Sequence, residues 1–166
     1  MKPKICILGT HHAYQMEAPR KKYLSTLTEL ISLHTVDLVA EEASGVSSTY
    51  ALRLVDKFKG KIVPDISWAN VDLTGEERTG VPDSNPYGLG TLVDFDFQAV
   101  REWTWVIRTL KRMKNSALLI CGFAHMLSVA EKFRWVGCDV ETHAYFDKQD
   151  DERIKNALED SVSGTV

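Results

Sequence analysis

Long apolar runs, a basic surplus and the common nucleotide-binding glycine patterns are all missing from this chain of 166 residues. No stretch approaches the roughly 20 apolar residues of a membrane-spanning helix, so no membrane partner is expected. The formal net charge is −3 and there is no arginine-rich tract, which removes the electrostatic footprint of a nucleic-acid binder. Neither G-x-G-x-x-G nor G-x-x-x-x-G-K-[S/T] occurs, and there is no G-x-S-x-G elbow. Cysteine is scarce: Cys6, Cys121 and Cys138 are odd in number and match no zinc spacing. The first apolar run, within residues 4–8, is too short for a secretory signal. Free buried thiols in a reducing compartment, and hence a soluble cytoplasmic protein, are the expectation.

What is present is alternation. Apolar runs at 4–8 (KICIL), 37–41 (DLVAE), 61–68 (KIVPDISW), 117–121 (ALLIC) and 138–146 (CDVETHAYF) read as strands, with Pro64 arguing for an edge position or a short strand for the third. Between them, residues 20–34, 50–58, 92–114 and 125–134 carry apolar side chains at helical spacing. Pro19 suits the first turn of the first helix, and Gly60 the end of the second. In the longest helix, Val93, Phe97, Val100, Trp103, Val106, Ile107, Leu110 and Met113 form the expected core face. Ser44, Gly45, Ser47 and Ser48 supply turn and capping chemistry before the second helix. The pattern predicts a single α/β domain over 1–146, with a central, mostly parallel sheet of about five strands flanked by helices. Residues 69–91, rich in glycine, proline and acidic side chains, read as a long loop that is either a substrate lid or a mobile insertion. Residues 147–166 form a charged tail in which Ile154, Ala157 and Leu158 would support a short helix.

Two strands end in the same phrase. The first runs into Gly9-Thr10-His11-His12 and the fourth into Gly122-Phe123-Ala124-His125. A glycine turning the chain sharply, with a histidine one turn later, would bring both imidazoles to the carboxyl edge of a parallel sheet, where ligands bind in open α/β folds. Glu41 and Glu42 close the second strand; side chains alternate, so one of them reaches that edge. Two imidazoles and a carboxylate with an open position suit Zn, Mn or Fe. Arg101 lies near the buried side of the long helix and wants a partner such as Glu42 or a substrate oxyanion. His34, at a helix C-terminus, reads as a surface histidine satisfied by the dipole, and His143 faces either way. Cys121 belongs to its strand, so thiol catalysis with His125 is disfavoured.

These phrases resemble the TraB/Tiki superfamily, which takes in pheromone-shutdown, Tiki, erythromycin-esterase-like and ChaN-like groups. Ile7-Leu8-Gly9-Thr10-His11-His12 is similar to the family's Gly-Thr-x-His, and Ile120-Cys121-Gly122-Phe123-Ala124-His125-Met126 to its second Gly-x-x-His. Asp37-Leu38-Val39-Ala40-Glu41-Glu42 looks like its acidic strand end and favours Glu42, while Val100-Arg101-Glu102-x-x-Trp105 looks like its helical arginine segment. The chain is much shorter than typical members, with residues 69–91 standing where they carry a large helical insertion. The resemblance implies a site more than a reaction, since Tiki proteins look like metal-dependent proteases and other branches have esterase-like or binding roles.

The reading that results is a small metal-dependent hydrolase for a small-molecule or peptide substrate. His12, His125 and Glu42 would hold the ion, Glu42 doubling as general base, and Arg101 would stabilise the oxyanion. His11 would orient these groups or replace a ligand. Gly9, Thr10, Gly122 and Arg78 would contact substrate, the last from the loop near Glu76 and Glu77. The rival is a non-catalytic protein that binds an anionic small molecule or nucleotide at the same edge. An interaction module built on Trp68, Trp103 and Trp105 ranks last, and the sequence leaves homo-oligomerisation open.

Overall fold

A computed structural model describes residues 2–16, 21–43, 48–61, 63–79 and 90–146, with side chains except at 78, 79 and 90–96. Five strands form one sheet: β1 (Lys4–Thr10), β2 (Leu38–Glu41), β3 (Ser67–Asn70), β4 (Ser116–Gly122) and β5 (Asp139–Ala144). The order is β3-β2-β4-β1-β5 and every pairing is parallel. The helices are α1 (His12–Met16), α2 (Lys21–Leu33), α3 (Tyr50–Phe58), α4 (Gly75–Thr79), α5 (Gly90–Arg112) and α6 (Met126–Trp135), with a 3-10 turn at Phe123–His125.

Alternation along β1 sorts the core into two layers. Cys6 and Leu8 face Tyr23, Leu27 and Ile31 of α2 and Val55 of α3. Ile5 and Ile7 face Trp105 and Val106 of α5 and Val129 and Phe133 of α6. The chain therefore winds from β1 to β3 over one face and returns over the other, which is the doubly wound arrangement. At the amino edge, Asp37 draws the starts of β2 and β4 together, its Oδ2 accepting from the backbone N–H of Asn115 (2.6 Å) and Ser116 (3.0 Å).

Several boundaries depart from the sequence expectation. Gly9 and Gly122 do not turn the chain: both are strand residues, Gly9 pairing with Cys121 and Ala144 and Gly122 with Thr10. Residues 12–16, which fall between the predicted first strand and first helix, are α1. The third strand starts at Ser67, because Pro64 and Asp65 lie in a turn after Val63 bridges to Lys59. Its edge position is as expected. The cap of α3 is Thr49, whose side chain accepts from Leu52 N–H (3.2 Å), and Gly60 takes the left-handed φ of 74° after that helix.

The segment 69–91 is not one loop. It holds the end of β3 and then α4, started by a reciprocal capping box in which Thr74 Oγ1 accepts from Glu77 N–H (3.3 Å) and Glu77 Oε2 from Thr74 N–H (2.7 Å). Residues 80–89 lie outside the described residues, as do Pro19, residues 44–47 and the tail 147–166. All three cysteines are buried free thiols. No helix among the described residues is long and apolar enough to cross a membrane.

Candidate functional site at the carboxyl edge

The chain leaves β2 and β4 toward opposite faces, and the carboxyl ends of β1 to β4 converge on the crevice this opens. Glu42 follows β2 directly. Its N–H extends the ladder to Ile120 O (2.9 Å), so its side chain takes the α5/α6 face while Glu41 takes the other. Glu42 Oε2 accepts from Gly122 N–H (2.8 Å) and Oε1 from Arg101 Nη2 (2.6 Å). His12 Nε2 lies 3.7 Å from the same Oε1, beyond hydrogen-bond reach. The His12 ring is placed from its far side by Gln15, Nδ1 to Oε1 at 3.0 Å. It also lies against Gly122, where an added Cβ would come 2.8 Å from Nε2.

Arg101 is held by more than Glu42. Its Nε donates to Asp72 Oδ1 (3.1 Å), Nη2 to Asp72 Oδ2 (2.9 Å) and Nη1 to Gln98 Oε1 (2.9 Å). Four of its five N–H groups are thereby committed, which leaves little of it for a substrate oxyanion. Asp72 Oδ1 also accepts from Trp105 Nε1 (2.9 Å) and Leu73 N–H (2.8 Å). Burial works to raise the Asp72 pKa, but the hydrogen bonds from Arg101 and Trp105 and the Arg101 charge together hold it well below the usual range.

His125 closes the 3-10 turn after β4. Its Nδ1 lies 2.8 Å from Glu102 Oε1, and a carboxylate only accepts, so Nδ1 carries the proton and Nε2 the lone pair. Ser128 Oγ (2.6 Å) and Lys132 Nζ (2.7 Å) donate to the other oxygen. Burial opposes the Glu102 charge, but these three partners together bring its pKa down to about 2. Trp105 joins the two groups, its Nε1 on Asp72 and its ring 5.1 Å from that of His125. An open cavity of about 430 Å³ lies beside His125, lined among others by Gln98, Glu102 and Lys132.

The remaining expected residues fall elsewhere. His11 is exposed; its Nδ1 accepts from Ala13 N–H (3.3 Å) and its ring lies 6.0 Å from Tyr14, so its described contacts belong to α1. Thr10 turns toward the α2 face, where its hydroxyl is buried without a hydrogen-bond partner among the described residues. Gly9 packs on α6, an added Cβ meeting Met126 Sδ at 2.8 Å. Arg78 lies in α4 with its side chain outside the described set. His34 is only partly exposed rather than a fully solvated surface residue, its side chain being 17% exposed. Asp72, Gln15 and Lys132 escaped the sequence reading, which named Glu102 and Trp105 without giving them a place in the site. A signal existed for Glu102 and Trp105, since they share one helical stripe with Arg101, Val106 and Thr109, and all are buried.

His12 and Glu42 fit two positions on one ion: two ligand bonds of about 2.1 Å at a tetrahedral angle put the donor atoms roughly 3.4 Å apart. His125 does not complete a compact trio with them, because the ligand atoms of the three do not all come within 4.8 Å of one another. Comparison with family models, curated proteins and solved structures gives no match for this chain.

Proposed function

We propose that the chain is a small hydrolase acting on an ester- or peptide-like substrate at this edge, with a divalent cation held by His12 and Glu42. The supporting observation is the 3.7 Å approach of His12 Nε2 to Glu42 Oε1. With Gln15 accepting from Nδ1, two lone pairs face each other there without a hydrogen bond. A cation at that point answers this and adds positive charge beside the Glu42 and Asp72 carboxylates that Arg101 engages. Zn, Mn and Fe are the candidates, and such an ion would polarise a substrate oxygen as a Lewis acid.

The chain's own residues do the rest. Arg101 and Gly122 N–H hold the Glu42 carboxylate in one orientation. Gly122 leaves room for the His12 ring. His125, fixed by Glu102, offers Nε2 to accept a proton from the attacking water and return it to the leaving group. The cavity beside His125 receives the substrate. The rival reading, an anion-binding protein, depends on Arg101 for its cation, and Arg101 is already engaged by two carboxylates. Three buried thiols suit a reducing compartment such as the cytoplasm.

The test strips the protein with chelator, reloads it with Zn, Mn or Fe, and follows metal content and hydrolysis of ester and peptide panels. His12→Ala and Glu42→Gln should each hold one equivalent less than wild type, and His125→Ala should keep the metal but lose turnover. Undiminished metal content in both of the first two variants would overturn the reading.

A further inference from the structure

A second group of metal-binding side chains lies away from the carboxyl edge. Cys6 of β1, His143 of β5 and His34, just past α2, each bring one ligand atom to within 4.8 Å of the others. Register explains the meeting. Cys6 pairs with Glu141 and Leu8 with His143, so Cys6, Glu141 and His143 share the α2 face of the sheet, and the end of α2 lowers His34 onto them. The two imidazole centroids are 6.2 Å apart. The Glu141 carboxylate stands beside this group of three, its oxygens lying 2.8 Å from His143 Nε2 and 3.8 Å from His34 Nε2, so a small movement would make it a fourth donor. Cys6 is four positions before Thr10, about 13 Å along the strand from that edge.

The electrostatics of the group are unresolved as it stands. Nε2 of His34 and Nε2 of His143 are both shut off from water without a hydrogen-bond partner among the described residues, since the close Glu141 contact is not aligned as one. Buried polar atoms left unpaired are costly and rare. A thiol, two imidazoles and a carboxylate at this spacing are the soft and borderline donors that tetrahedral zinc takes.

We propose that Cys6, His34, His143 and Glu141 form a structural zinc-type site, independent of the edge pair His12 and Glu42. With four protein donors it is closed to substrate. It pins the edge strand β5 and the end of α2 to β1. Without an ion, burial and then the Glu141 charge push the Cys6 thiol up to about 12, so it is no nucleophile.

The test is Co²⁺ titration of the reduced, chelator-stripped full chain, read by the thiolate-to-cobalt charge-transfer band in the near ultraviolet. The edge pair carries no sulfur, so the band reports this site alone and should persist in His12→Ala. It should saturate at one equivalent, disappear in Cys6→Ser and bleach when Zn²⁺ displaces Co²⁺. Affinity should fall by more than about tenfold in His34→Ala and in His143→Ala. Those two positions are partly exposed, so they carry the test if Cys6→Ser fails to fold. No band in the folded wild-type protein, or a band with undiminished affinity in both histidine variants, would overturn the proposal and leave the reading of the edge site untouched.

Discussion

Arg101 and Asp72 meet as a fork, Nε on Oδ1 at 3.1 Å and Nη2 on Oδ2 at 2.9 Å, across 29 residues of chain. Both are buried, and the same Nη2 reaches Glu42. One guanidinium therefore fixes two acids from two strand ends, and the fork geometry is one that lysine cannot reproduce.

Removing Arg101 is expected to be worse than removing Asp72. Arg101→Met leaves two buried carboxylates facing each other and should cost about 3–5 kcal/mol, the usual penalty for breaking a buried pair from one side. Asp72→Asn leaves Arg101 still paired with Glu42 and should cost less. The double variant should cost less than the sum of the singles, because one of the two orphaned acids is then gone. Urea denaturation of the four proteins checks this, and additive costs would show that the pair is not coupled.

The two glycines of the doubled Gly-x-x-His phrase should respond differently to the same substitution. Gly9→Ala drives a methyl to 2.8 Å from Sδ and 3.0 Å from Cβ of Met126, at the start of α6, and should destabilise by about 1–3 kcal/mol. In Gly122→Ala the methyl meets the His12 ring, the far end of a side chain that is 47% exposed and free to swing away. The backbone at Gly122, φ −57° and ψ 138°, suits any residue. This variant should keep its stability to within about 1 kcal/mol and lose the cation held by His12 and Glu42. Thermal melts beside metal analysis separate the two outcomes.

Glu41 gives the fold a pH dependence. Its Oε2 accepts from Thr49 (2.6 Å) and Trp68 (2.7 Å), while Oε1 is buried without a hydrogen-bond partner among the described residues. Burial dominates these hydrogen bonds and raises its pKa from 4.5 to about 7. The folded state then holds a proton that the unfolded state has released, so stability is greatest below the unfolded value and falls as pH rises through about 7. The loss from this group should be on the order of 3 kcal/mol between pH 4.5 and pH 8. Glu41→Gln should flatten that decline in denaturant midpoints measured across the range, and an unchanged slope would put its cause elsewhere.

The strands were legible from continuous apolar runs, and alternation said that Glu41 and Glu42 take opposite faces, but it did not say which of them reaches the edge. The face of α5 was misread. Counting only apolar residues placed Val100 and Ile107 in the core, yet they are 46% and 48% exposed. The buried stripe instead carries Arg101, Glu102, Trp105 and Thr109, which burial tolerates where partners from other elements meet them. Those partners come from far along the chain: Asp72 for Arg101, His125 for Glu102. No periodicity announces such pairs. The capping box of α4 was legible in Thr74-Gly75-Glu76-Glu77, but it was obscured by the glycines and prolines around it.

Glu102 should control both the tautomer of His125 and the acid limit of the fold. In the wild type, the contact at 2.8 Å fixes the proton on Nδ1 and leaves Nε2 bare. Glu102→Gln replaces one acceptor oxygen by an amide that can turn either end to the ring, so the Nδ1–H form loses its preference. Ring nitrogen chemical shifts should move from one tautomer toward a mixture, and a hydrolase that uses Nε2 as base should slow with little change in KM. Stability carries the second signature. The Glu102 pKa is lowered from 4.5 to about 2, so its contribution is complete above pH 4.5 and is lost as pH falls toward 2. Glu102→Gln should be less stable than wild type at pH 6 and converge on it near pH 2, because protonation then removes the same charge from both the Lys132 and the His125 contacts. Acid denaturation followed by circular dichroism measures that convergence, and a stability gap that stays constant down to pH 2 would show that the Glu102 charge is not what holds this corner together.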